Sequence, residues 1–230
     1  MSNKSISAFF PVLNEEGTVA KLTEDLLNIL SSNFEHKEVI IINDGSTDGT
    51  ELIAEDLYAK NNGYVKVIHH SKSTGYGNAL KAGFTAAQHD LIFFTDGDYQ
   101  FDMNDLYRAL SLIEGNDIVV GYRQNRKDPK HRIWLSKGYN LLVRILFGLK
   151  LKDIDCSFKL FKRTALGKIT IESNGYFIDT EIMVKAKKQG LIINEFGVKH
   201  LPRSFGVSKV KIKHIFITLY EIAKLWKKLQ

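Results

Sequence analysis

Between residues 6 and 95 short continuous apolar runs alternate with stretches patterned at helical spacing, and that alternation admits few folds. Residues 6–12, 38–43, 65–69 and 91–95 read as strands buried on both faces, because they lack polar alternation. Residues 16–33, 48–60 and 76–89 read as the helices between them. The rhythm predicts an α/β fold with a mostly parallel central sheet flanked by helices. In such sheets the loops leaving the strands' C-terminal ends gather on one rim, where ligands bind.

Three of these loops are polar. The run Thr95-Asp96-Gly97-Asp98-Tyr99-Gln100 follows Leu91-Ile92-Phe93-Phe94, which sets two carboxylates and an amide at a strand end. Hard oxygen donors at alternating positions suit Mg²⁺ or Mn²⁺, ions that keep further positions for water and a substrate's phosphates. The run predicts a metal-diphosphate site. Asp44-Gly45-Ser46-Thr47-Asp48-Gly49-Thr50 fills an earlier turn, where Gly permits positive φ and Ser, Thr or Asp can cap the next helix.

Other signals fail. Gly75-Tyr76-Gly77 begins like a dinucleotide fingerprint, but position 80 is Leu. His69 and His70 are adjacent, so on a strand they point to opposite faces and make a poor metal pair. The single cysteine, Cys156, excludes a disulfide-stapled secreted fold and has no nearby His in a nucleophile arrangement. No basic segment followed by an apolar run marks a signal peptide, so the expected site of action is cytoplasmic.

The 230 residues suit one domain, and the net charge of +6 conceals an asymmetry. Residues 1–121 hold 8 Lys/Arg against 18 Asp/Glu, whereas residues 122–230 hold 24 against 8. A net +16 half suggests an anionic partner. After Gly121 come a basic loop, an apolar helix over 134–149 and the run Asp155-Cys156-Ser157-Phe158-Lys159-Leu160-Phe161; with no linker, this half is expected to extend the same sheet. Residues 211–230 place Ile212, Ile215, Phe216, Leu219, Ile222, Ala223 and Trp226 on one face of a basic amphipathic helix. Charged residues interrupt both apolar helices, so neither is expected to span a bilayer. Lying in the membrane interface, with Trp134, Tyr139, Phe147, Tyr220 and Trp226 as anchors, and plain packing both fit.

Together the motifs resemble a known family. Phe9-Phe10-Pro11-Val12-Leu13-Asn14-Glu15-Glu16, Asn43-Asp44-Gly45-Ser46-Thr47-Asp48-Gly49-Thr50 and Asp96-Gly97-Asp98-Tyr99-Gln100 resemble successive signatures of the GT-A-fold glycosyltransferases of family 2. Gly121-Tyr122-Arg123, Asp155 to Lys159, Phe177-Ile178-Asp179-Thr180-Glu181 and the run from Pro202 to Lys209 resemble its dolichyl-phosphate mannose synthase and polyprenyl-phosphate glycosyltransferase branch. The chain departs from the pattern at Leu13, Asn43 and Ser157.

The resemblance implies a GT-A domain over 1–210, with 211–230 a basic helix for a membrane surface or for packing. It implies inverting, metal-dependent transfer of a sugar, mannose or glucose first, from a GDP- or UDP-linked donor to a polyprenyl or dolichyl phosphate at the cytoplasmic membrane face. Pro11, Leu13, Glu15, Ile42, Asp44, Gly97 and Arg123 would bind the donor, and Asp96, Asp98 and Gln100 the Mg²⁺ or Mn²⁺. Arg203 and Lys209 would hold phosphate, with Arg132 and Lys137 more simply read as solvated basic surface. Asp155, Asp179 and Glu181 would orient acceptor or donor sugar, and one becomes a base if the acceptor is a hydroxyl. A phosphate acceptor needs none, being largely dianionic near neutrality. No nucleic-acid partner is expected; a membrane-protein partner or a homo-oligomer fits the same reading. The alternatives are a transferase acting on a saccharide hydroxyl for surface polysaccharide, and a non-catalytic basic binding module.

Overall fold

The chain's computed structural model describes residues 5–61, 63–206 and 212–230. One sheet holds seven strands: β1 (Ile6–Val12), β2 (Lys37–Asn43), β3 (Val65–His69), β4 (Leu91–Phe94), β5 (Ile118–Gln124), β6 (Lys159–Lys162) and β7 (Ile193–Lys199). Their order is β3-β2-β1-β4-β6-β5-β7, and β6 alone runs antiparallel to its neighbours β4 and β5. The second half therefore extends the first half's sheet, as its lack of a linker predicts.

Apolar runs without alternation form these strands because helices cover both faces. On β1, Phe9 enters a core with Phe94 and with Leu80 and Phe84 of α3 (Tyr76–Ala86). Its neighbours Ala8, Phe10 and Val12 enter the opposite core with Leu22, Leu26 and Leu30 of α1 (Val19–Asn33). Each such fully buried side chain contributes about 1.5–3 kcal/mol. The remaining helices are α2 (Thr50–Lys60), α4 (Asp105–Leu112), α5 (Lys130–Phe147), α6 (Arg163–Leu166), α7 (Ile178–Lys188) and α8 (Ile212–Leu229).

The helix expected over 134–149 runs from Lys130 to Phe147, and two other helix ends shift because side chains from elsewhere capture the backbone. α1 starts at Val19 rather than near residue 16, since the Glu15 N–H donates to Thr50 Oγ1 (2.9 Å) and the Glu16 carboxylate accepts from the Gly49 N–H (2.6 Å). α3 ends at Ala86, before the expected residue 89, because the N–H groups of Gln88 and His89 donate to the buried Ser7 hydroxyl, both at 3.1 Å.

Helix α8 buries only part of its apolar surface. Ile222 and Leu225 enter the core beside Val143 of α5 and Ile182 of α7. Phe216 and Tyr220 stay 69% and 70% exposed, near Trp134 (76%) and Ile145 (71%) in exposure on α5. No helix among the described residues is long and apolar enough to cross a membrane.

Candidate active site

The C-terminal ends of β1, β2 and β4 open onto a cleft of about 1320 Å³. Pro11, Leu13, Glu15, Asp44, Asp96, Gly97, Asp98, Gln100, Arg123 and Arg203 all line it, so distant motifs meet in one place. Ile42 does not: on β2 its side chain points into the α3-side core and is fully buried, so the expectation that it lines the donor pocket is corrected. Lys209 lies outside the described residues. Arg132 also lines the cleft, whereas Lys137 points to solvent.

The turn after β4 is tightly specified. A Cβ at Gly97 would lie 2.5 Å from the Pro11 carbonyl oxygen, so only glycine lets the turn sit against β1. Thr18 Oγ1 donates to the Gly97 carbonyl (2.7 Å), and Tyr99 takes up φ of 55°, a left-handed conformation uncommon outside glycine. The Tyr99 hydroxyl donates to Asp25 on α1, which anchors the turn from outside.

Asp96 and Asp98 face different surroundings. Asp96 accepts from Ser157 Oγ (2.5 Å) and from the Tyr76 hydroxyl (3.0 Å). Asp98 accepts from Arg203, whose other terminal nitrogen donates to Glu15 at 3.2 Å. Burial, then the charge of Asp96, pushes the Asp98 carboxyl up to about 7 against the opposing pull of Arg203. Gln100 donates its side-chain amide to the Leu201 carbonyl (3.2 Å), which ties this turn to the segment bearing Arg203.

Asp44 organises a neighbouring loop. Its carboxylate accepts from Ser73 Oγ (2.8 Å), Thr74 Oγ1 (2.6 Å) and the N–H groups of Thr74 (2.9 Å) and Gly75 (3.0 Å), with His70 Nδ1 at 2.7 Å. Burial works against its charge, but His70 and Thr74 more than offset this and hold its pKa below the usual carboxylate value. Asp44 thus lines the cleft while clasping residues 70–75. Sequence reasoning missed the clasp; the Ser-x-Ser-Thr-Gly run after His70 was its only signal.

On the far side, cations are mostly paired. Arg123 grips Asp153 through Nε (2.6 Å) and Nη2 (2.7 Å), so two of its five donors are committed there rather than to a phosphate. Arg126 holds Asp128 (3.0 Å) and Ser136 (2.9 Å). The buried Lys159 donates to Asp179 and to the Cys156 carbonyl, both at 2.5 Å. Burial raises the Asp179 pKa, with Lys159 opposing. Asp155 is solvent-accessible through the cleft, yet it stands so deep that burial, then the charges of Asp179 and Asp153, pushes it up to about 7. Glu181 turns away from the cleft and accepts from the N–H groups of Glu172 and Ser173, fixing the loop before α7.

Among the described residues no three His, Cys, Asp or Glu side chains converge as a ready-made metal cage. Asp96 and Asp98 with Gln100 instead offer an open, oxygen-rich donor set. Mg²⁺ or Mn²⁺ completes such a set with phosphate oxygens and water, so the residues present fit the ion.

Known proteins are similar to this chain in sequence and in fold. Dodecaprenyl-phosphate galacturonate synthase of Rhizobium johnstonii is 29% identical, with 94% of this chain and 65% of that protein covered. Glycosyltransferase AglD of Haloferax volcanii is 32% identical over 90% of this chain and 34% of its own length. Polyprenol monophosphomannose synthase of Mycolicibacterium smegmatis is 28% identical over 81% and 75%. The chain thus spans about two thirds of the first relative and one third of the second. Glucosyl-3-phosphoglycerate synthase from Mycobacterium tuberculosis, solved with UDP, superposes with a TM-score of 0.71 over 98% of this chain and 79% of its own, at 18% identity. The same enzyme solved with Mn²⁺ and UDP-glucose gives 0.70 over 97% and 80%, at 19% identity. Identities this low establish the shared GT-A fold and no more. The model of the family "Glycosyl transferase family 2" matches residues 7–170, a span that takes in every strand but β7, and the chain therefore belongs to that family.

Proposed function

We propose that the protein transfers a sugar from a nucleoside-diphosphate donor to a polyprenyl phosphate, with a divalent cation. The observation that carries this reading is the change of character along one cleft. At the β1–β4 end it is lined by Asp44, Asp96, Asp98 and Arg203; at the other end by Trp134, Leu135 and Leu142 of α5 and Ile215, Ile217 and Leu219 of α8. At about 1320 Å³ the cleft exceeds the roughly 300–1,000 Å³ of an ordinary small-molecule site and has room for two substrates. A phosphate on an isoprenoid chain matches a polar end that opens into an apolar trough. The names of two relatives, dodecaprenyl-phosphate galacturonate synthase and polyprenol monophosphomannose synthase, support the same class.

In this reading Asp96, Asp98 and Gln100 hold Mg²⁺ or Mn²⁺, which supplies Lewis-acid neutralisation of the leaving diphosphate. Arg203, held between Asp98 and Glu15, stands where it can exchange those carboxylates for phosphate oxygens. The Asp44 clasp shapes the loop beside the nucleotide. The acceptor phosphate attacks the anomeric carbon without a protein base, because it is already ionised. Whether the base is uracil or guanine is set by hydrogen bonds in the pocket beside Leu13 and Asp44. In this reading the mouth of the trough lies against an anionic membrane surface, which the exposed apolar residues of α5 and α8 and the lysines on those helices support.

One observation favours a second reading. Asp155 opens onto the cleft with a carboxyl at about 7, the range of a general base, which suits a saccharide hydroxyl as acceptor. Both are tested by supplying GDP- and UDP-sugars to the wild type and to Asp98→Ala, with a short-chain polyprenyl phosphate or with soluble saccharides, and with Mn²⁺ or EDTA. Metal-dependent lipid product lost in the variant supports the first reading. Transfer to saccharides alone supports the second.

A further inference from the structure

Tyr76, the first residue of α3, lines the cleft between Asp96 and the loop before α7. Its hydroxyl donates to Asp96 Oδ1 (3.0 Å) and lies 3.4 Å from Asp179 Oδ2. Its ring stacks on Tyr176 (centroids 5.3 Å apart, planes at 16°), and Tyr176 in turn packs against His214 of α8 at 4.9 Å. We infer that Tyr76 is a positioning residue of the transfer reaction: its hydroxyl fixes the Asp96 carboxylate, and its ring ties that carboxylate through Tyr176 to helix α8. This rests on the reading of Asp96 as a metal-holding carboxylate in a sugar transferase.

The geometry limits what else Tyr76 can do. Asp96 is held on both oxygens, by Tyr76 on Oδ1 and by Ser157 on Oδ2, which leaves each oxygen a lone pair for the cation. Groups that brace a metal ligand in this way set its orientation and its affinity. Tyr76 is itself immobilised from both sides along the chain. The Gly75 N–H before it donates to Asp44 Oδ2, and a Cβ at Gly77 after it would lie 2.3 Å from the carbonyl carbon of Asn174, so the helix start sits directly on the loop bearing Tyr176. The loop is latched to α8 by Ser173 Oγ donating to Glu221 (2.8 Å) and by Lys228 on Glu172 (2.6 Å). One aromatic side chain thereby joins the nucleotide-side clasp, the metal carboxylate and the helix that borders the apolar trough.

The test is Mn²⁺ titration of the full chain, alone and with UDP or GDP, followed by the EPR signal of the free ion. Tyr76→Phe keeps the ring stack and loses the hydroxyl; it should bind Mn²⁺ about 10- to 100-fold more weakly, the range seen when a ligand-bracing partner is removed, with an unchanged melting temperature. Tyr176→Ala keeps the hydroxyl and loses the stack, and should weaken Mn²⁺ binding by a smaller factor. A Tyr76→Phe affinity within twofold of wild type overturns the proposal, as does a Tyr176→Ala affinity equal to wild type for the link to α8. Absence of Mn²⁺ uptake by the wild type overturns it by removing the metal site itself. No acceptor is present in the titration, so failure of lipid transfer is a separate result.

Discussion

On the β1–β2–β4 side of the cleft, Asp44 is held by backbone N–H groups and hydroxyls of Ser73, Thr74 and Gly75 and Asp96 by the hydroxyls of Tyr76 and Ser157, while Asp98 and Glu15 share the single cation Arg203. On the β5–β6 side, functional groups are held by opposite charges: Arg123 by Asp153, Arg126 by Asp128, Lys159 by Asp179. The second half carries 24 Lys/Arg, yet the cleft-lining Arg123, Arg126, Arg132 and Arg203 are each paired with a carboxylate, while Lys130, Lys137 and Arg144 of α5 and Lys224 and Lys227 of α8 are exposed. The positive half is therefore not a positive cleft. The acidic half, by contrast, directs Asp44, Asp96 and Asp98 into the cleft, where the proposed cation and diphosphate would lie.

That contrast can be broken at several points. The largest effect is expected on the acidic side: Asp98→Ala should lower sugar transfer by about 10³-fold or more, measured as radiolabelled product, since charge stabilisation at the reacting centre carries terms of this size. On the paired side, Lys159→Met should destabilise the fold by about 3–5 kcal/mol in urea unfolding, because Asp179 is left buried without its counter-ion. Adding Asp179→Leu to that variant should recover most of the loss; if it does not, the pair is more than a neutralised charge. Asp44→Asn should weaken binding of UDP or GDP about tenfold by calorimetry, since hydrogen bonds to charged groups are worth about 1.5–3 kcal/mol and the clasp loosens without opening. The double variant Trp134→Ser, Phe216→Ser should reduce sedimentation with phosphatidylglycerol vesicles by about tenfold while leaving nucleotide binding intact. Equal sedimentation would move the membrane face elsewhere.

The smallest expected effect is on pH. Asp155 at about 7 in the folded chain lies above its unfolded value near 3.9, so folding holds its proton more tightly than unfolding does. Its ionisation therefore costs stability above about pH 4, increasingly up to pH 7. Asp155→Asn should be more stable than wild type at pH 8, by less than about 1 kcal/mol because water in the cleft screens the charge, and the gain should vanish towards pH 4. A constant difference across that range would show that Asp155 is not ionised against its surroundings.

Much of this comparison was legible in the sequence, but unevenly. Strands β1 to β4 are continuous apolar runs ending in polar turns, and Asp96, Asp98, Asp44 and Glu15 stand at or just beyond those ends, so local pattern placed them correctly. Ile42 was misplaced because a strand buried on both faces shows no alternation to say which side chain faces the rim. The Asp44 clasp was missed because its partners lie on the loop after β3, brought alongside only by parallel pairing of β2 with β3. Arg123 carried an expected phosphate role that its family motif suggests; its Asp153 partner is 30 residues away and nothing local announces it. The width of α8's apolar stripe was visible, but not that Ile222 and Leu225 turn fully inward while Phe216 and Tyr220 stay outside.

The reversed strand β6 has a consequence for synthesis. Running against β4, with Lys159 opposite Phe94, it delivers its beginning rather than its end to the rim, and Ser157 thereby reaches Asp96 across 61 residues. Arg203 reaches Asp98 across 105. A nascent chain leaving the ribosome has its acidic turn, with Thr18, Asp25 and Tyr76 already made, long before it has Ser157 and Arg203, and such distant pairings form late. A fragment released before residue 157 would carry the conspicuous motif of residues 96–100 without Ser157 or Arg203.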